Sequence, residues 1–131
     1  MSSDLSVGRL QLLILRVLWE RGEATVAEVH DALRASRDLA PTTVATMLTK
    51  MERKGVVTHR VDARRFVYRA TVDETEVHRS MVRDLVDRVF EGDSSALVHH
   101  LVREGEIDAG ELEDLRARVS QRQSEEGRDV D

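Results

Sequence analysis

The sequence predicts a mainly α fold of the α+β class: three helices, one β-hairpin, then three more helices. Three observations predict it. Apolar residues recur at i, i+3, i+4 and i+7 in most stretches, the spacing that lines one face of a helix. Residues 56–61 break that spacing with a run of β-branched side chains, the mark of a strand. One Pro and seven Gly in 131 residues leave few points at which helices would be interrupted.

The first helix is expected over residues 7–21, with Ser6 as N-cap and Gly22 as stop. At about 100° per residue, Leu10, Leu13, Ile14, Val17 and Leu18 share one face, while Leu12, Leu15 and Trp19 lie nearly opposite. A helix apolar on two sides is buried on two sides. The second helix opens on Thr25-Val26-Ala27-Glu28, a capping box: the Thr25 hydroxyl accepts from the third amide and Glu28 reaches back to the cap. Val26, Val29, His30 and Leu33 follow on one stripe, the helix fades near Ser36, and residues 37–40 form a loop. The third helix starts at Pro41, whose missing N–H has no partner at a first helical position anyway. It stops at Gly55, behind Arg53 and Lys54, whose charges suit the negative helix end. Its Val44, Met47, Leu48 and Met51 cluster within about 100° of arc. Thr42, Thr43, Thr46, Thr49, Lys50 and Arg53 cover the other side, where no carboxylate lies; Glu52 sits on the flank.

Residues 56–61 are then a strand, 62–65 a turn and 66–70 the returning strand, a hairpin with Arg64 and Arg65 at its tip. A helix over 73–90 carries Val77, Met81, Val82, Leu85, Val86, Val89 and Phe90 on more than half of its circumference. Residues 95–104 repeat the spacing with Leu97, Val98, Leu101 and Val102. Asp108 and Glu111 make a second capping box ahead of Leu112, Leu115 and Val119. From Ser124 the chain is polar and is expected to be disordered.

Charge divides the chain. Residues 1–71 hold 12 Lys and Arg against 8 Asp and Glu, a net of +4; residues 72–131 hold 8 against 17, a net of −9. A basic half joined to an acidic half suggests two jobs. Aromatics are only 3%, too few for a deep ring-lined ligand pocket. Without Cys, disulfides, Cys–zinc sites and thiol catalysis are excluded. No apolar run approaches the roughly 20 residues of a membrane helix and no signal peptide opens the chain, so a soluble cytoplasmic protein without membrane contact is expected.

Helix–helix–helix–hairpin with a basic tip is the order of a winged helix-turn-helix. The division expected is a winged-helix DNA-binding domain over 1–71, an all-helical dimerisation region over 72–123 and a disordered tail over 124–131. The major groove of B-DNA is about 12 Å wide and admits one α-helix. The third helix, residues 41–54, offers hydroxyls that donate or accept at base edges or phosphates, with Lys50 and Arg53 nearer its C-terminus. Arg64 and Arg65 would meet the DNA backbone or a narrowed minor groove. Apolar surface wider than one small neighbour can cover marks a partner. The dimerisation residues expected are Val77, Met81, Leu85, Val86, Val89 and Phe90, with Leu97, Leu101, Leu112 and Leu115.

Residues 19–29, 39–48 and 54–57, with the wing Arg64-Arg65-Phe66-Val67-Tyr68, resemble the penicillinase-repressor family; the likeness covers about residues 7–120. The resemblance implies a homodimeric bacterial repressor. Its N-terminal winged helix would bind a double-stranded DNA operator with an inverted repeat, and its C-terminal helices would hold the dimer. Release by an upstream protease or a ligand sensor is implied as well. Pro41 stands where members often carry Tyr, Ala63 replaces a usual wing Gly, and Arg65 replaces a small residue. Where β-lactam-responsive members are cut at an Asn–Phe bond, this chain has His100-Leu101. The cysteine cluster of copper-responsive members is absent with all other Cys.

Five histidines raise a metal site, and none is expected. His30 is read as core edge, His59 as near phosphate, and His99 and His100 diverge on a helix. Zinc needs three or four converging ligands; only a site across a dimer, using His78, His99 or nearby acids, would supply them. No phosphate loop, nucleophile elbow or zinc-protease motif appears, so neither enzyme activity nor a cofactor is expected. Two other functions fit the fold: a winged-helix sensor whose DNA binding a small molecule or metal controls, and a protein–protein adaptor.

Overall fold

The computed structural model describes residue 5 and residues 7–129. Its elements are α1 (Arg9–Arg21), β1 (Ala24–Thr25), α2 (Val26–Leu33), α3 (Pro41–Lys54), β2 (Val57–Asp62), β3 (Arg65–Ala70), α4 (Glu74–Val89), α5 (Ser94–Arg103) and α6 (Ala109–Asp129). They form two compact units that divide between Asp84 and Leu85, inside α4.

In the N-terminal unit, α1 is buried on both of its apolar sides: Ile14 and Leu18 on one, Leu15 on the other. Its Trp19 Nε1–H donates to the Val72 carbonyl at 2.9 Å, so the half-buried indole is satisfied. Ser6 lies outside the described residues; the N-cap of α1 is Gly8, which supplies no side-chain bond. The Thr25–Glu28 capping box forms in both directions, at 3.1 and 2.9 Å. It fixes the start of α2, which sends Val29 and Leu33 into the core. His30 Nε2 donates to the Leu39 carbonyl at 2.6 Å and ties down the loop between α2 and α3. Pro41 opens α3 and Gly55 closes it at φ 92° and ψ 14°. There the Gly55 and Val56 amides reach back to the Glu52 and Met51 carbonyls, a Schellman end that Gly adopts without a Cβ penalty. Val44, Leu48 and Met51 of α3 are fully buried.

The hairpin pairs Val57 with Ala70 through to Asp62 with Arg65, leaving a two-residue loop at Ala63 and Arg64. Both loop residues have positive φ, 50° and 65°. Two-residue loops of this kind match the twist of the strands, but Asn-Gly suits them, and Ala-Arg is held there under strain. The turn is thus two residues tighter than the one expected over 62–65. The sheet order is β1-β3-β2, with Ala24 opposite Tyr68 and Thr25 opposite Val67. Strand β1 has no signature of its own; two residues become a strand because the free edge of β3 lies beside them.

Helix α4 opens on a reciprocal Asp73–Glu76 cap, at 2.8 and 3.3 Å. Val77 is fully buried and Met81 partly buried against the N-terminal core. Those two residues carry the N-terminal unit past the expected boundary at residue 71. In the C-terminal unit, α5 is capped by Asp93 and the Asp108 carboxylate accepts from the Glu111 amide. Residues 124–129 are helical, the end of α6, and not the disordered tail expected; residues 130–131 lie outside the described residues. Pairs at i, i+4 support that helix: Arg122 with Glu126 at 3.0 Å and Gln121 with Glu125 at 3.5 Å.

Candidate nucleic-acid interface

Each of the eight residues expected to meet DNA, Thr42, Thr43, Thr46, Thr49, Lys50, Arg53, Arg64 and Arg65, is exposed. That follows from how α3 is anchored. With Val44, Leu48 and Met51 committed to the core, a helical period of 3.6 turns the threonines outward. The structure sorts seven of the eight into two neighbouring hollows. Thr42, Thr43, Thr46 and Lys50 line a groove of about 250 Å³ along α3, with the Met47 side chain on its wall. Thr49, Arg64 and Arg65 line a second cleft of about 410 Å³, together with Thr25, Val26, Ala27, Ala45, Phe66 and Tyr68. Arg53 lies in neither.

Thr49 differs from the other threonines, because its hydroxyl donates to the Ala45 carbonyl at 3.0 Å. It also hydrogen-bonds Tyr68, whose phenol is held above its usual range by burial and by the Glu52 charge. The Thr49 hydroxyl, its proton committed, is left to act as an acceptor. Phe66, Tyr68 and Ala45 carry no polar pattern, and α3-face reasoning passes over them. The period-2 alternation of β3 was the available signal, since it sets Phe66 and Tyr68 on one face.

Electrostatics separates the wing cations. The Arg60 guanidinium makes a two-pronged pair with Glu23, at 2.7 and 3.2 Å, and lies 3.9 Å from Asp62. The guanidinium bond holds the Glu23 carboxyl below its usual range. Glu28 is lowered by the Thr25 backbone bond first, then by the Thr25 hydroxyl, with Arg21 and Arg65 adding their fields. Among the described residues no ion pair holds Lys50, Arg53, Arg64 or Arg65, so these cations remain available to phosphate. His59 is not free for phosphate in the expected way. Its Nδ1 lies 2.6 Å from the Glu52 carboxylate and its ring stacks on Phe66 at 4.1 Å.

The ten residues expected to hold a partner divide. Val77 and Met81 belong to the N-terminal core, and Val86 is buried as well, so these three cannot form an open face. Leu85, Val89, Leu112 and Leu115 are exposed, between 43% and 57%. Phe90, Leu97 and Leu101 are half-buried, Phe90 with its ring 5.9 Å from that of His100. Val82, Val98, Val102 and Val119 are exposed too, apolar surface that the expected set omitted. His100 and Leu101 lie inside α5. Among the described residues, no group of three or more His, Asp or Glu could hold a metal ion, and no helix is long and apolar enough to cross a membrane.

A family model described as penicillinase repressor matches residues 7–121. The transcriptional regulator BlaI of Mycobacterium tuberculosis (strain ATCC 25618 / H37Rv) is 35% identical over 109 residues, 81% of this chain and 79% of that protein. The methicillin resistance regulatory protein MecI of Mammaliicoccus sciuri is 23% identical over 103 residues, 79% of this chain and 84% of that protein. The solution structure of the DNA-binding domain of the repressor BlaI is similar, with a TM-score of 0.51 at 28% identity. It covers 58% of this chain and 93% of that one.

Proposed function

The chain belongs to the penicillinase repressor family, and from that premise we propose that it is a transcriptional repressor. It reads an inverted-repeat operator as a homodimer in the cytoplasm, with α3 in the major groove and the wing on the flanking backbone. The observation that carries this reading is the open Thr42–Thr43–Thr46–Lys50 groove on a helix whose opposite side is locked into the core. Hydroxyls and a cation on a rigid helix match base edges and phosphates. The exposed Leu85, Val89, Leu112 and Leu115 supply the self-contact, and a second copy would cover them. The acidic C-terminal half stays clear of the phosphates and leaves the basic half to meet them.

Selection of bound duplexes from a random library tests this. The expected product is a two-fold symmetric site whose half-sites lie a whole number of helical turns apart. Binding to it should fall roughly 10³–10⁵-fold between about 50 and 200 mM salt if six to ten phosphates are neutralised. A flat salt titration, or an asymmetric site, refutes the proposal. Thr46→Ala should lose about 1–3 kcal/mol of discrimination at one base pair. Unchanged preference between the selected site and its mutated versions would remove Thr46 from base reading.

A further inference from the structure

We infer that the cleft between α2, α3 and the wing seats a deoxyribose–phosphate stretch of one DNA strand, with Phe66 against the sugar and Arg64 and Arg65 on the flanking phosphates. This rests on the DNA-binding reading above and deepens it by assigning to the wing an apolar contact beside its charges.

The two hollows on α3 offer different chemistry. One presents Thr42, Thr43, Thr46 and Lys50, polar groups suited to base edges. The other has mainly carbon walls, Ala45, Phe66 and Tyr68 among them, and arginines at its edge. A nucleic-acid strand has the same division, since each deoxyribose shows a C–H face beside charged phosphate oxygens. Phe66 is 47% exposed and its cross-strand neighbour Val61 62% exposed. A large ring left half open gains free energy when something covers it.

The ring is also held in place. It stacks on His59 at 4.1 Å with the planes 18° apart, and His59 is fixed by the Glu52 carboxylate at 2.6 Å. Buried Tyr68 closes the floor, 6.3 Å from Phe66 between ring centroids. A preorganised ring loses little freedom on binding. Charge selects among occupants. An apolar molecule leaves Arg64 and Arg65 unmatched, and a free anion leaves the ring uncovered. A sugar–phosphate strand satisfies both.

The chain has two Phe residues, Phe66 and Phe90, so para-fluorophenylalanine incorporation gives two fluorine resonances, assigned with Phe66→Leu. A short mixed-sequence duplex at low salt, where binding ignores sequence, should shift the Phe66 resonance; inorganic phosphate at the same ionic strength should not. Phe66→Ala should weaken duplex binding about tenfold and leave the salt slope unchanged, because no counterion is released at a ring. Phe66→Leu, which keeps apolar bulk on the hairpin, should weaken it less at an unchanged melting temperature. Arg64→Ala should instead lower the slope by about 0.9 for each phosphate no longer neutralised. A Phe66 resonance unmoved at saturating duplex overturns the inference and leaves the repressor reading standing. So does an equal shift with phosphate alone, or a salt slope reduced by Phe66→Ala. Absence of any salt-sensitive duplex binding overturns the repressor reading itself, and the inference with it.

Discussion

The N-terminal unit carries its own core, and the C-terminal unit does not. Ile14, Leu15, Leu18, Val29, Val44, Leu48, Met51, Val56, Val57 and Val77 are all exposed by 2% or less. Beyond Asp84, Val86 alone is buried among the described residues, and the described side chains of α6 are exposed along the whole helix. Local physics suffices to shape α6, through its i, i+4 pairs, but most helical stability in proteins comes from packing an apolar face. Leu112, Leu115 and Val119 form such a face and remain 43–54% exposed. One unit is therefore complete as a monomer, and we propose that the other is completed by a second copy.

Three substitutions test that contrast. Leu85→Asp places a charge on the open face. It should separate the dimer on a sizing column and weaken operator binding about 10²–10⁴-fold, the gain that linking two half-sites provides. The thermal transition of the N-terminal unit should survive. A variant that still elutes as a dimer would mean that Leu85 lies off the self-contact. Leu48→Ala opens a cavity in the core of α3 and should cost about 2–5 kcal/mol in urea unfolding. Leu115→Ala in a monomeric background should stay within about 0.5 kcal/mol. Equal losses at the two positions would erase the distinction between the units.

At the wing tip, Ala63→Gly relieves positive φ but enlarges the unfolded ensemble, so a net gain of up to about 1 kcal/mol is expected. A clear loss of stability would show that the loop is unstrained. The smallest effect concerns pH. Glu23 and Glu28 have their carboxyl pKa values lowered in the folded chain, so they bind protons less readily there than when unfolded. Their contribution is present above the ordinary Glu range and fades as pH falls through the lowered folded values. Glu23→Gln should flatten the acid limb of a melting-temperature profile slightly. An unchanged limb would mean that the Glu23–Arg60 pair, exposed as it is, adds nothing to stability.

Much of the interface could be read without coordinates. Pro41, the Val44–Leu48–Met51 stripe and Gly55 define α3 by themselves, and a helix with one apolar stripe must turn its threonines to water. The cleft was not legible, because Ala45, Phe66 and Tyr68 are ordinary apolar residues until α3 and the wing bring them together. The commitment of the Thr49 hydroxyl to Ala45 was equally hidden, since a threonine in a helix reads the same whether it bonds its own backbone or solvent.

Periodicity, caps and glycine stops are properties of neighbours along the chain, and from them the order of helices and hairpin, the two faces of α1 and the outward threonines follow directly. Pairing and burial depend on what lies nearby in space. So it took the folded chain to make Ala24 and Thr25 a strand and to draw Val77 and Met81 into the first core. The apolar breadth of α4 is written in the sequence. Which part of it stays open is not, because a side chain's exposure is set by the neighbours that folding supplies.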